Sequence, residues 1–408
     1  MRNTWNAYWP FTESGESERK QPMLRVLFYQ FFPGGGIGRY THLLASELNR
    51  HSEVDVELVC SPEYHHLAEA DYRVWPGLAP IGAKNPLVRK AKFLMGQWRN
   101  PRRFVGYLRD QECDVVHFSN INHLTYRFWR NQIHRPSHKV VATVHDVRRA
   151  GKILNRRWES RWLRCFYEDA DALFVHSEKQ LSDLLEYAPG ASGRIHKVPH
   201  GVYAYPPSNS DRHAMRAKWG IAPDRTVGLH FGMIRADKNL PALLEALSML
   251  RVNRPFLVIA GRMAERGQES ESVFRSLIES LQLTQDVLIV NRFIDENEVG
   301  DLYQLADFGC LTYRSDFTSQ SGVLNVAAHF DLPVLVTPAP TLAETVEEYR
   351  IGRVCAGDTA EAIASELRKL SSTLSRSGEF DFERYRREQS WQTNARRTLA
   401  VYQQLSAG

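Results

Sequence analysis

The feature that most constrains this chain is a rhythm that runs twice: short apolar runs alternate with longer amphipathic ones, stop, and begin again. From Met23, "MLRVLFYQ" reads as a strand and "GRYTHLLASELNR" as a helix, with Tyr40, Leu43, Leu44 and Leu48 near 3.6-residue spacing. "VDVELVC", "DVVHFS", "KVVATVHD" and "ALFVHSE" continue the series as strands. Parallel strands need a crossover, so this alternation predicts a parallel sheet covered by helices. At residues 198–211, "VPHGVYAYPPSNSD", paired prolines, Gly201 and polar residues break the pattern with the composition of a linker. The rhythm restarts with "TVGLHFG", "PFLVIAG", "VLIVNRF", "ADFGCLTY" and "LPVLVT", and residues 383–405 read as a long terminal helix.

A chain of 408 residues suits two such domains better than one core. The expected organisation is a tail at 1–22, one doubly wound α/β domain at 23–200, a second at 201–382, and a helix at 383–408 that packs back on the first domain. Two such sheets joined by one linker leave a cleft between them. Open α/β sheets bind ligands beyond the carboxyl ends of their strands, so chemistry is sought where strands end.

Composition narrows the classes. With 43% hydrophobic and 24% charged residues the balance is globular. The charge is uneven: residues 1–200 hold 29 Lys and Arg against 21 Asp and Glu, and the remainder 23 against 26. No recognised nucleic-acid module accompanies the basic half, so nucleic acid is not expected as a partner. Residues 1–22 lack the apolar core of a secretory leader, and no apolar run approaches the roughly 18 residues of a membrane span. Five scattered cysteines without a CxxC pair fit a reducing cytoplasm.

Four strand ends carry candidate chemistry. "FFPGGGIGRY" places Gly35, Gly36 and Gly38 where strand becomes helix, so that a ligand can approach backbone N–H groups at a helix N-terminus. The dinucleotide fingerprint GxGxxG is not met, since Arg39 or Thr41 stands where the last glycine belongs. "TVHD" ends a strand at His145 and Asp146, either a hydrogen-bond donor to a sugar or phosphate or a solvated loop histidine. "HFGMIRADKNL" ends a strand at Gly232 and sets Arg235 and Lys238 three residues apart before a helix near Leu240. Such a pair either holds a diphosphate, Arg as a fork and Lys as a point charge, or is simply exposed. "YRSDFTSQSGVLNVAAHFDLPVLVT" puts Thr318, Ser319, Gln320, Ser321 and Gly322 before an apolar helix, as phosphate-facing hydroxyls and N–H groups or as a plain N-cap. "DAD" at 169–171 precedes its strand and reads as turn and cap, and the histidines show no HExxH or Cys/His spacing, so no metal is expected.

Taken in order, "GGGIGRYTHLLASEL", "VVATVHD", "ALFVHSE", "KVPHGV", "HFGMIRADKNLPALLEAL", "LVIAGR", "DLYQLADFGCLTY" and "SQSGVLNVAAHFDLPVLVT" resemble the retaining glycosyltransferases of family four. The resemblance runs from about Met23 to the C-terminus and implies the GT-B fold, two Rossmann-like domains facing across a cleft, the first binding acceptor and the second a nucleotide sugar. It implies that Gly35, Gly36 and Gly38 lie near the donor phosphates and acceptor, that His145 lies near the transferred sugar, and that Arg235 and Lys238 grip the donor diphosphate. It further implies donor contacts at Gly232, Ser319, Gln320, Ser321 and Gly322, transfer without a metal or other cofactor, and a glycan or lipid-linked acceptor. One departure stands out. The family commonly carries two glutamates eight positions apart, and alignment on "PV" places Thr318 and Val326 there, with "SQSG" between; a valine cannot accept hydroxyl bonds from a ribose. Asp316 is displaced from the first lost position by two residues.

The basic stretch 84–110, "KNPLVRKAKFLMGQWRNPRRFVGYLRD", interleaves cations with apolar residues, as an interfacial helix on anionic lipid does and as a solvated basic helix also does. The first reading puts the protein at the inner membrane face, peripherally. Two rival functions remain: a noncatalytic sugar-nucleotide or glycan binder, suggested by Thr318 and Val326, and an NAD-dependent enzyme using the glycine turn with Glu57 as ribose ligand.

Overall fold

The computed structural model describes residues 23–148, 153, 155–263, 270–318, 320–373 and 380–407. The tail at 1–22 and Ser319 therefore lie outside the described residues.

The first domain opens with β1 (Leu24–Tyr29), α1 (Gly35–Asn49), β2 (Val54–Val59) and β3 (Arg73–Trp75). It continues through α2 (Pro86–Arg109), β4 (Val115–Phe118), α3 (Arg130–Ile133) and β5 (Lys139–Thr143). It closes with α4 (Arg156–Asp169), β6 (Ala172–Val175), α5 (Glu178–Tyr187) and β7 (Ile195–Lys197). The second runs α6 (Arg212–Lys218), β8 (Val227–Phe231), α7 (Leu240–Ser248), β9 (Phe256–Ala260), α8 (Glu271–Ser280) and β10 (Val287–Val290). It ends with α9 (Glu296–Leu305), β11 (Phe308–Leu311), α10 (Gly322–His329), β12 (Val334–Val336), α11 (Pro340–Tyr349), β13 (Gly352–Val354) and α12 (Ala360–Thr373).

Among the described residues the strands form two sheets, ordered β3-β2-β1-β4-β5-β6-β7 and β10-β9-β8-β11-β12-β13, with every pairing parallel. Each order reverses once, between β1 and β4 and between β8 and β11, and a crevice opens beyond the strand ends at such a reversal. The central strands are buried on both faces, which is why "VVHF", "ALFV" and "FGCL" are continuous apolar runs rather than alternating ones.

Two features differ from the sequence reading. Helix α1 starts at Gly35, three residues earlier than the pattern suggests, because the glycine run is already its first turn; Gly35 has φ +74. The terminal segment forms two helices, α13 (Phe382–Glu388) and α14 (Trp391–Ala407), broken at Gln389–Ser390, where the Ser390 hydroxyl accepts the Thr393 N–H at 3.1 Å. Helix α13 stays on the second domain, its Tyr385 hydroxyl donating to Asn325 Oδ1 at 2.6 Å. Helix α14 lies along α1 of the first. There Asn394 Nδ2 donates to Tyr40 Oη at 3.0 Å and to the Pro199 carbonyl at 2.6 Å, and the Tyr402 hydroxyl bonds His117 Nδ1 in the core. Tyr40, Tyr203, Leu324, Trp391 and Tyr402 consequently belong to one apolar cluster shared by both domains.

Candidate active site

The second-domain wall forms at the β8/β11 reversal. Lys238 ends a short 3-10 turn (Ala236–Lys238), and its side chain is drawn inward. Its ammonium donates to the Tyr313 hydroxyl and sits 4.1 Å from that ring's centroid. Tyr313 Oη in turn lies 2.9 Å from Ser321 Oγ, so the cation, a phenol and a serine are strung together beyond β8 and β11. Among the described residues this buried cation meets hydroxyls and a ring face and no carboxylate, and this leaves its charge available to an anion. Arg235 behaves differently: its side chain is 54% exposed and pairs with Asp237 at 2.7 Å, so its fork is at the mouth rather than inside.

Two close approaches shape this wall. Gly232 has φ +94, and a Cβ on Gly261 would stand 1.9 Å from the Gly232 carbonyl oxygen, so both positions must lack a side chain for β8 and β9 to end together. Ser321 occupies the N-cap position of α10 without capping it, since its hydroxyl is engaged by Tyr313. The Leu324 N–H donates to the Ser321 carbonyl at 3.1 Å, and among the described residues no side chain caps the Gly322 and Val323 N–H groups before it. Helix α1 also starts without a side-chain cap, and Gly35 and Gly36 are exposed with open space where a Cβ would be. Gly38 is different: it is buried, its carbonyl accepts the Tyr64 hydroxyl at 2.9 Å, and a Cβ there would meet only ordinary contacts at 3.7 Å or more.

The two walls meet through side chains that sequence reasoning missed. Arg39 of α1 lies 5.4 Å from the Tyr203 ring centroid and 4.2 Å from that of Tyr205, donates to the Ala204 carbonyl at 3.0 Å, and pairs with Glu296 of α9. A Cβ on Gly322 would come within 3.1 Å of the same Tyr203 ring, so the first turns of α1 and α10 both reach this aromatic. His145, just past β5, packs edge-on against Tyr40 with centroids 4.7 Å apart. Tyr40 also touches His176 at 5.2 Å and His200 at 5.4 Å, and His200 Nδ1 is 3.2 Å from Asn325 Nδ2 of α10. Gln320 closes the ring by donating to the His176 carbonyl at 3.2 Å. Of the expected residues, the structure therefore joins Lys238 and Ser321 through Tyr313, and links Gln320, Gly322 and His145 through Tyr203, Tyr40 and the histidines.

Electrostatics separate the walls. Burial pushes His200 down to about 4, and burial followed by the neighbouring His200 and His145 holds His176 well below the usual imidazole range. These two rings are neutral at physiological pH, so the positive charge near the cleft comes from Lys238, from Arg235 and from Arg39, the last paired with Glu296. Thr318 presents its carbonyl to Thr341 Oγ1 at 3.0 Å, Val326 is buried in the shared core, and Asp316 is exposed and paired with Arg314 at 3.5 Å. None of the three replaces a ribose-binding carboxylate. Glu57 is occupied as well, accepting the Tyr107 hydroxyl and pairing with Arg73 at 3.5 Å within β2. The "DAD" carboxylates are structural: Asp169 holds Arg130 and Tyr126, and Asp171 accepts the Val140 N–H at 2.7 Å.

Two parallel-sheet α/β domains facing across a cleft, with facing helix N-termini and a buried cation at the strand ends, define the GT-B class. Residues 34–204 match the model of Glycosyltransferase Family 4, and residues 211–381 that of Glycosyl transferases group 1. The serotype-specific mannosyltransferase WbdA of Escherichia coli is 29% identical over 146 residues, which are 34% of this chain and 17% of that protein. The chain thus matches less than a fifth of that curated relative's length. The sucrose-phosphate synthase of Thermosynechococcus elongatus superposes with TM-score 0.74 at 16% identity, covering 94% of this chain and 99% of that one. Anabaena HepE in complex with UDP gives 0.69 at 15% identity, covering 94% and 100%. The chain belongs to the family 4 glycosyltransferases.

Proposed function

We propose that the protein is a retaining glycosyltransferase that moves a sugar from a nucleoside-diphosphate sugar to a glycan or lipid-linked acceptor without a metal. The observation that carries this reading is the Lys238–Tyr313–Ser321 string beside the uncapped start of α10. Breaking the anomeric C–O bond leaves negative charge on the diphosphate, and a fixed cation with oriented N–H groups stabilises that charge as it develops. Arg235 at the mouth adds a second cation, and Gly35 and Gly36 let the acceptor and donor approach the α1 backbone. His145, held by Tyr40, stands on the opposite wall as a donor to the transferred sugar. Related proteins seen with UDP, UDP-glucose or ADP support a nucleotide-sugar donor.

The deciding measurement is thermal stabilisation against UDP-, GDP- and ADP-sugars with NAD as control, since a ligand that binds only the folded state raises its stability. A shift with one nucleotide family is expected; a shift with NAD alone would sink the proposal. Donor hydrolysis or transfer, with the product's anomeric configuration, separates a working transferase from a noncatalytic binder. Turnover that does not rise on addition of Mg²⁺ or Mn²⁺ is expected of the metal-free mechanism.

A peripheral membrane location has its own support. On α2 and its neighbour, Leu87 (78% exposed), Val88, Met95, Trp98 and Phe128 lie on the surface among exposed Arg89, Lys90, Arg99 and Arg102, with Trp98 and Phe128 rings 4.8 Å apart. Among the described residues no helix is long and apolar enough to cross a membrane, so attachment of this kind would be interfacial. Sedimentation with anionic liposomes should fall as salt rises; sedimentation equal on neutral and anionic vesicles would remove the electrostatic part.

A further inference from the structure

On the far side of α1, three side chains that the proposed reaction does not use converge. His42 Nε2 lies 3.8 Å, and His66 Nδ1 3.0 Å, from the same oxygen of Glu69, and all three candidate ligand atoms fall within 4.8 Å of one another. Ligands at about 2.0–2.2 Å from a tetrahedral Zn²⁺ stand about 3.3 Å apart, and the two measured separations bracket that value. The imidazoles are stacked, with centroids 5.0 Å apart and an interplanar angle of 7°, so one ring must turn about its χ angles for both in-plane lone pairs to meet one ion.

The surroundings are those of a ligand set. His42 Nδ1 is 3.0 Å from the Tyr72 hydroxyl, which leaves Nε2 facing Glu69, and Tyr72 is hydrogen-bonded to Tyr64, whose hydroxyl holds the Gly38 carbonyl. An outer partner of this kind fixes which ring nitrogen presents its lone pair. Glu69 is 61% exposed, giving an ion a way in and keeping further positions open to water.

We propose that His42, His66 and Glu69 form a site for a divalent transition-metal cation, best fitted by Zn²⁺. Two imidazoles and one carboxylate suit a borderline-soft ion rather than Mg²⁺ or Ca²⁺. The ion would tie α1 to the segment after β2, where His65 covers Gly34: its N–H donates to the Pro33 carbonyl at 2.8 Å, and a Cβ on Gly34 would strike its ring at 2.3 Å. Its role is to pin the glycine turn, and it takes no part in sugar transfer.

The test is calorimetric titration of the tag-free full chain with Zn²⁺, with Co²⁺ visible absorption as a second readout. One ion per chain is expected, together with a thermal upshift. Glu69→Gln, an exposed change that leaves the fold alone, should weaken binding by at least about tenfold, since even outer-shell changes cost that much. His66→Ala should abolish it. Absence of binding, or binding unaltered by both changes, overturns the proposal. So does binding lost in His200→Ala instead, because among the described residues the triad of His145, His176 and His200 is the other group of ligand atoms within 4.8 Å. None of these readouts needs a sugar donor.

Discussion

At the residue scale, the two cations differ in depth. Lys238 is buried and locked to Tyr313, whereas Arg235 is exposed, so its truncation tests function with little structural cost. Arg235→Ala is expected to lower turnover on the order of a hundredfold, the size of losing one oriented donor to a developing anion, with an unchanged melting curve. Wild-type turnover in that variant would remove Arg235 from the site. Both cations were legible in "HFGMIRADKNL" because a strand end, a glycine and a coming helix fall within eleven residues. Tyr40, His176, His200 and Tyr203 were not, since their partners lie far along the chain: Tyr40 meets Asn394, and His176 meets Gln320. Gly38 illustrates the converse, a glycine that looks like its neighbours in the sequence and is set apart only by the Tyr64 ring beside it.

At the element scale, strands of four or more apolar residues could be read directly, and the three-residue edge strands β3, β7 and β13 could not. "RVW", "IHK" and "GRV" bury little and carry no period long enough to recognise; they exist because a neighbouring strand offers its edge. The break between α13 and α14 was hidden for a similar reason, as Gln389–Ser390 is unremarkable as local sequence while the two helices answer to different domains. Helix α14 is held partly by polar bonds inside the core. His117, fully buried, meets the Tyr402 hydroxyl at Nδ1 and Thr143 Oγ1 at Nε2, 2.8 Å away. Tyr402→Phe keeps the ring and strands Nδ1, so a loss of about 1–3 kcal/mol is expected in urea unfolding. A loss under half a kcal/mol would mean that the nitrogen finds another partner.

At the scale of the whole molecule, buried imidazoles set the response to acid. Burial lowers His117 to about 3 and His200 to about 4, and burial followed by Lys238 lowers His230 to about 3, from an ordinary value of 6.5. Below pH 6.5 the unfolded chain takes up protons on these rings and the folded chain does not. Their neutral packing thus supports the fold fully above that pH and loses ground as pH falls towards 4. Each contributes a slope of about 1.4 kcal/mol per pH unit where the two states differ by a full proton. Unfolding at pH 5 should accordingly take up about three protons more than at pH 8 through these groups, and a denaturation midpoint flat between pH 8 and 5 would contradict the burial. The linker at 198–211 was readable from its prolines, while the return of α14 to α1 was not, because it joins residues some 350 positions apart. That return also bears on biosynthesis. The first domain leaves the ribosome with the α1 surface that Asn394 will cover still bare, and it stays so while roughly 190 further residues are made, about 10–40 s at ordinary elongation rates. Through that interval the nascent chain carries uncovered the part of the apolar cluster on which α14 later packs.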